Sequence, residues 1–431
     1  MKILLIDHYA GSDLMGMEYR PFYFAQEWIA AGHDVTIIGA DFSHLRGRQP
    51  TVTADLEITT EGHVRFRWLR TRHYDGNGVR RVVNMLEFVG KLFVYGRRIA
   101  AQEKPDIVIC SSTYPLDIYP GARIARRAGA RLVFEVHDLW PLTPILLGRL
   151  SPSHPFIRLL QHAEDWAYRH ADTVVSILPD AKDYMVAHGL APAKFVHVPN
   201  GIPTFRGLPD HEELPAEIQS QIENERSRDR FLVGFAGGIN LNMALDTVLD
   251  AARLLADANV GFFIAGDGAS ASRLRERVTQ CRLDNVHLVG RIAKLAVPVF
   301  LSRMDALVIP WHRNPLYRYG VSPNKLFDYM LAAKPILQGS DASNDLVTEA
   351  QCGLTIEPEN PVALADAVRR LLALPPEMRD KLGENGRRYV LANNDCRILA
   401  RNFLESAIPV GSRSSATRSM SPQYGRIVTD R

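Results

Sequence analysis

The feature that most constrains this chain is an alternation. Short apolar, β-branched runs at 2–7, 34–40, 64–69, 106–111, 131–137, 173–178 and 195–198 are separated by amphipathic stretches such as 20–31 and 121–128. Most of the runs are apolar on both faces, as parallel strands buried between helix layers must be. Strand and helix patterns in strict succession predict βαβ units wound into parallel sheets. Residues 199–229 interrupt the pattern. They hold Pro199, Pro203, Pro209 and Pro215 and end in a charged run, which reads as a linker. The alternation then restarts, with runs at 231–236, 261–265, 286–289, 306–310, 335–339 and 353–356. The expectation is an α/β chain of two doubly wound domains in series. From residue 411 the sequence is rich in Ser and Arg and reads as a disordered tail.

A chain of 431 residues can bury two large cores. Its charge is balanced, 51 Lys and Arg against 48 Asp and Glu, which argues against a nucleic-acid partner. The four cysteines, Cys110, Cys281, Cys352 and Cys396, form no CxxC pair, so a zinc knuckle or redox pair is not expected. The first apolar run meets a charge after five residues, so no secretory leader is expected, and no 18-residue apolar window predicts a membrane span. The expected location is the cytoplasm, with peripheral contact at the inner face of the plasma membrane as an open question. The segment 79–102 raises it. Val82, Met85, Leu86, Val89, Leu92 and Phe93 form a stripe at helical spacing, and residues 65–98 hold nine Lys or Arg against Asp75 and Glu87, a net of +7. Two readings fit: an interfacial helix on anionic lipid, or a core-facing helix with a solvated basic face.

Ligands of doubly wound sheets bind beyond the carboxyl ends of the strands, so the residues there are the candidates. Gly237-Gly238 lets backbone approach a ligand, and Asn240 or Asn242 is placed to cap the next helix; a plain tight turn explains the pair equally. Gly266-Asp267-Gly268 and Gly290-Arg291-Ile292 end the next two runs. Ser322-Pro-Asn324-Lys325 is a helix start, and a lysine in that first turn opposes the helix dipole unless an anion also sits there. Asp328 lies three residues on, suited to ribose hydroxyls. In the first half, His137-Asp138-Leu-Trp140 closes a strand and offers polar groups and a ring to a sugar, against the simpler reading of a buried histidine bonded to backbone. The glycine-containing loop 11–16 opens a helix and is another anion-site candidate. No Asp-x-Asp, GxSxG, GxGxxG or P-loop sequence occurs, which leaves metal, hydrolase, dinucleotide and ATP readings without their usual support.

Six of these segments together resemble the retaining glycosyltransferases of family 4. They are Gly16-Met-Glu-Tyr-Arg-Pro21, His137-Asp-Leu-Trp-Pro141, Val198-Pro-Asn-Gly201, Gly266-Asp-Gly268, Gly290-Arg291 and Ser322-Pro-Asn-Lys-Leu-Phe-Asp-Tyr-Met330. The likeness spans roughly residues 1–405 and is greatest to the branch that builds bacterial surface polysaccharides, including N-acetyl-L-fucosamine transferases. It implies the GT-B fold, two facing Rossmann-like domains with a cleft between. The expected divisions are an acceptor domain over 1–205, a nucleotide-sugar domain over 206–395 and a C-terminal helix over 396–410 that packs back on the first domain.

The resemblance also assigns roles. Gly237, Gly238, Asn240, Gly266, Ile292, Ser322, Asn324 and Asp328 would hold the nucleotide sugar, with Asp328 on the ribose and the backbone at 290–292 on the base. Gly16 would close over the diphosphate. His137, Lys325 and Arg291 would serve catalysis, and Tyr19, Arg20, Asp138 and Trp140 would face the acceptor, a lipid-linked or oligosaccharide chain. Neither metal nor cofactor is expected. Two positions depart from the family pattern. Cations that commonly follow the paired glycines are replaced by Ile239, Asn240, Leu241 and Asn242, and the acid eight residues before Asp328 is Gly320. The expected reaction is retaining sugar transfer. A nucleotide-sugar 2-epimerase and a non-catalytic partner subunit of a transferase are the alternatives.

Overall fold

The computed structural model describes residues 1–76, 78–204, 213–240 and 242–408; the tail expected from 411 and the division expected at 205/206 lie outside them. The first half forms strands β1 (Lys2–Ile6), β2 (Asp34–Ala40), β3 (Glu57–Glu61), β4 (Val64–Leu69), β5 (Ile107–Cys110), β6 (Arg131–Val136), β7 (Thr173–Ser176) and β8 (Phe195–His197). The second forms β9 (Phe231–Ala236), β10 (Val260–Ala265), β11 (Val286–Gly290), β12 (Ala306–Pro310), β13 (Ile336–Gly339) and β14 (Gly353–Ile356). Among the described residues they make two sheets, ordered β3-β4-β2-β1-β5-β6-β7-β8 and β11-β10-β9-β12-β13-β14. All pairings are parallel except that of β3 with β4. The sequence pattern missed β3 because Glu-Ile-Thr-Thr-Glu is a polar edge strand with alternating exposure, not an apolar run.

Each sheet is covered on both faces, because successive residues of a strand point to opposite sides. In β1, Leu4 and Ile6 enter one core while Ile3 and Leu5 enter the other. In β9, Val233 and Phe235 face one layer, and Leu232 and Ala236 face the other. The carboxyl ends of both sheets therefore stay free of the cores and carry the loops described below.

The chain crosses between the halves twice. The outward crossing passes Val198-Pro199-Asn200-Gly201, and the return precedes the helix Cys396–Ala407. The crossings pair through Ile202 N–H to the Asn394 carbonyl and Cys396 N–H to the Ile202 carbonyl, both 2.9 Å. They run so close that a Cβ on Gly201 would lie 2.3 Å from the Asn394 oxygen. The returning helix then packs on the first half. Phe403 lies against Phe24 and Trp28, and the Trp28 indole N–H donates to the Ala400 carbonyl at 2.8 Å.

Candidate active site

The second-domain wall is bare backbone. Gly237 N–H bonds the Ala265 carbonyl at 3.0 Å, and Gly266 N–H bonds the Gly290 carbonyl at 2.7 Å, so the loops after β9, β10 and β11 lie against one another. Gly266 has φ +147°, and a Cβ there would sit 1.9 Å from the Gly237 oxygen, so no other residue fits. The helix Asn324–Leu331 starts beside this wall. Its Lys325 turns toward Gly237, with Nζ 3.1 Å from Met243 Sδ and 4.8 and 5.6 Å from the ring centres of Phe235 and Trp311. Among the described residues no carboxylate pairs with it. Burial lowers its pKa to about 8. In the same cage, the Trp311 indole N–H is buried without an acceptor. This wall therefore presents a cation and a donor that have no anion of their own.

One turn further along, Asp328 accepts a bond from Lys294 Nζ at 2.8 Å. Burial opposes the charge on Lys294, but Asp328 prevails and raises its pKa. Lys294 also lies 5.9 Å from the Tyr19 ring centre, across the cleft on the first domain. Asn324, Asp328, Lys294, Tyr19 and Tyr23 line a cavity of about 210 Å³ between the domains. Arg291 is exposed and reaches the first domain, where a Cβ on Gly47 would sit 3.1 Å from its Nη2. The loop closed by the paired backbone bonds of Ser12 and Gly16 lies against the same Arg46–Gly47 turn.

The first-domain wall is crowded with titratable groups. Its β-strand ends supply Asp7, His8, Tyr9, Ser111 and His137, and the following turn supplies Asp117. Burial raises Asp7 and Asp117 to about 7, and burial holds His8 well below its ordinary value. Arg20 and Glu135 form a buried ion pair with Nε to Oε1 at 2.8 Å. Trp140 is walled by Tyr114 and Phe156 edge-on, and the Arg81 guanidinium lies 5.8 Å from its ring centre. Burial raises the Asp138 carboxyl.

Several expected positions are corrected. Arg20 does not face an acceptor: its guanidinium is used up on Glu135 and on the carbonyls of Pro199 and Val198, at 2.5 and 3.0 Å. Tyr19 faces Lys294 and Asp328 rather than Asp138 and Trp140. Ser322 is taken by the linker, since its Oγ accepts from Asn200 N–H at 2.8 Å and its carbonyl accepts from Asn200 Nδ2 at 2.7 Å. Neither Asn240 nor Asn242 caps a helix; the next one starts at Leu245 after Ala244, and Asn240 instead accepts from Asn242 N–H. Ile292 packs into the second core, so only backbone there remains for a ligand. Glu135, Ser111 and Lys294 were missed. The signal for Glu135 was present, a carboxylate inside the otherwise apolar run Arg-Leu-Val-Phe-Glu-Val.

Residues 16–201 match the Glycosyl transferase 4-like domain, and 230–374 match the Glycosyl transferases group 1 family. The chain belongs to the group 1, GT4-like glycosyltransferases. Among curated relatives, the probable glycosyltransferase WbjE of Pseudomonas aeruginosa is 24% identical over 65% of this chain and 70% of its own length. The putative colanic acid biosynthesis glycosyl transferase WcaI of Escherichia coli K12 is 24% identical over 63% and 67%. Of solved structures, sucrose-phosphate synthase of Thermosynechococcus elongatus matches with a TM-score of 0.69 and 17% identity, covering 94% of this chain and 97% of its own. Anabaena HepE in complex with UDP-glucose matches at 0.62 and 15%, covering 94% and 99%. The fold is GT-B, and the curated relatives are named as glycosyltransferases, WcaI among them in colanic acid biosynthesis, which favours transfer over the epimerase and the non-catalytic partner.

Proposed function

We propose that the chain transfers a hexosyl or N-acetylhexosaminyl group, with retention and without a metal, from a nucleotide diphosphate sugar to a lipid-linked saccharide. One observation carries this reading: the Lys325 ammonium stands between the start of the Asn324–Leu331 helix and the bare Gly237 loop, and among the described residues no carboxylate pairs with it. A diphosphate bound there meets a fixed cation and a helix N-terminus. In transfer, the bond from the anomeric carbon to the diphosphate oxygen breaks and a bond to the acceptor oxygen forms on the same face. The acceptor proton passes to a diphosphate oxygen. Negative charge grows on the leaving group, and preorganised cations stabilise it where it grows. Lys325 supplies one and Arg291 a second at the cleft mouth. Asp328 takes the ribose hydroxyls, with Lys294 held beside it. His137 faces the sugar from the other wall. HepE, bound to UDP-glucose, shares the fold and supports a nucleotide-sugar donor. The test is a thermal-shift panel of nucleotide diphosphate sugars, followed by transfer assays with and without chelator. No donor raising the melting temperature, or activity lost on chelation, would contradict the respective part.

The acceptor's lipid favours contact with an anionic bilayer through the helix Val79–Glu103. Met85, Val89 and Leu92 of the expected stripe are buried in the core, so the core-facing reading accounts for them. A second face remains: Val79, Val83 and Leu86 are exposed at helical spacing beside the exposed Arg80. Among the described residues no helix is long and apolar enough to cross a membrane. Sedimentation with anionic liposomes at low salt, lost in neutral liposomes and in Leu86→Asp, is the expected result; no sedimentation at low salt refutes the contact.

A further inference from the structure

The buried pair on the first domain does more than join two strands to a helix. Glu135 has both oxygens engaged. Oε1 takes Arg20 Nε at 2.8 Å, and Oε2 accepts the Ser111 hydroxyl at 2.6 Å. The same Ser111 Oγ lies 2.8 Å from His137 Nε2, while the direct approach of Nε2 to Glu135 Oε2 is 3.5 Å. Serine therefore bridges the two. A hydroxyl has one proton and an ionised carboxylate has none to give, so the Ser111 proton must point at Glu135. Burial opposes the charge on Glu135, but Arg20, His137 and the hydrogen bonds hold its carboxyl well below the usual range, so it is ionised. That leaves a Ser111 lone pair for His137, and Nε2 must be the nitrogen that carries hydrogen. Nδ1 has no protein partner among the described residues, and the side chain retains 14% exposure.

We propose that Glu135, acting through Ser111, is the positioning residue for His137: it fixes Nε2 as the nitrogen that carries hydrogen in the neutral ring, and its negative charge 3.5 Å from Nε2 favours the protonated ring, whose Nδ1–H is then free for the substrate. The inference rests on the transferase reading for its catalytic use, though not for its geometry. The surroundings of the ring agree. Burial favours a neutral imidazole, yet Glu135 raises its pKa above the ordinary value; Arg20 opposes that, and Asp7 adds to it. Glu18 from the glycine loop, Asp117 from the turn after β5 and Asp138 from its own strand end also face it. Arg20 gives the arrangement its reach. Its two terminal nitrogens hold the linker carbonyls of Pro199 and Val198, and Asn200 holds Ser322 at the start of the Lys325 helix. One guanidinium thus ties the carboxylate behind His137 to the crossing between the domains.

The experiment is ¹⁵N-histidine NMR of the full chain without sugar, with His137→Gln used only to assign the signal. In the wild type the ring should titrate above the ordinary imidazole midpoint, with hydrogen on Nε2 in the neutral form. Ser111→Ala should move the midpoint down and mix the tautomers, and Glu135→Gln should move it further. If Glu135→Gln does not fold, Ser111→Ala carries the test, because it leaves the Arg20 pair intact. In sugar transfer, the alkaline limb of kcat/KM should move to lower pH with the NMR midpoint. Unchanged midpoint and tautomer in a folded variant overturns the proposal, as does a limb that stays in place while the midpoint moves. A shifted midpoint in a chain that transfers no sugar supports the positioning and instead sinks the transferase reading.

Discussion

Replacing Lys325 with methionine separates two effects that most active-site substitutions confound. The side chain, shorter by one atom, keeps its place among Phe235, Trp311 and Met243 but loses its charge. Holding the ammonium at about 8 rather than 10.5 means the fold disfavours its charged form by about 3 kcal/mol near neutral pH, at about 1.4 kcal/mol per unit. Lys325→Met should therefore stabilise the ligand-free second domain, at roughly 2–4 °C of melting temperature per kcal/mol for a domain of this size. The effect on turnover is opposite. A cation about 4 Å from a growing charge at an effective dielectric of about 20 contributes on the order of 4 kcal/mol, and removing one preorganised donor commonly costs roughly 10²–10³ in kcat. The variant should melt higher, respond less to nucleoside diphosphate and turn over at least about a hundredfold more slowly. The pH signs follow. Folded Lys325 loses its proton above about 8 while the unfolded chain keeps it to 10.5, so wild-type stability should rise between those values. kcat/KM should fall over the lower part of the same range. Differential scanning fluorimetry and initial rates from pH 6 to pH 10 measure both. A variant that melts lower than wild type, or transfers at a near-normal rate, would refute the electrostatic account.

Gly266→Ala should lose donor binding and fold stability together, because the added methyl meets the Gly237 oxygen at 1.9 Å; a retained nucleotide thermal shift would contradict the close-packed wall. Asp328→Asn should raise the donor KM with little change in kcat, since ribose contacts made equally in ground and transition states are lost. Phe403→Ala, at a fully buried ring between Phe24 and Trp28, should destabilise by about 3–5 kcal/mol and lower the melting temperature of the first domain, read by calorimetry.

The two sheets were legible because parallel strands buried on both faces are the easiest elements to recognise: Ile3–Ile6 and Phe231–Ala236 have no polar side chain to confuse the pattern. The loops at their carboxyl ends were legible as loops, since glycine and helix-start residues mark them, and those at Gly237, Gly266 and Gly290 meet in the structure. What the sequence could not disclose was direction. Arg20 and Tyr19 are neighbours in one helix start, yet one turns into the first domain to hold the linker and the other turns across the cleft toward Lys294. Ser322 looks like a ligand contact and is consumed by Asn200, 122 positions away. Such roles depend on pairings over a hundred residues apart, which no local spacing encodes. Lys294, two residues beyond the Gly290-Arg291-Ile292 segment, escaped notice because its meaning comes from Asp328, 34 positions on, and from Tyr19 across the cleft.

The absence of cations after Gly237-Gly238 has a physical counterpart in the structure. Ile239 is buried in the core and Asn240 bonds its own loop, so that turn contributes no charge. Lys325 approaches the same backbone from the neighbouring helix and leaves its ammonium there, 3.0 Å from where a Gly237 Cβ would stand. There it is caged by Phe235, Trp311 and Met243, and among the described residues no carboxylate neutralises it. The consequence is a site that is costly when empty and favourable when an anion enters. Binding of an anion there should then stabilise the second domain, because the ligand removes the cost that the free protein bears.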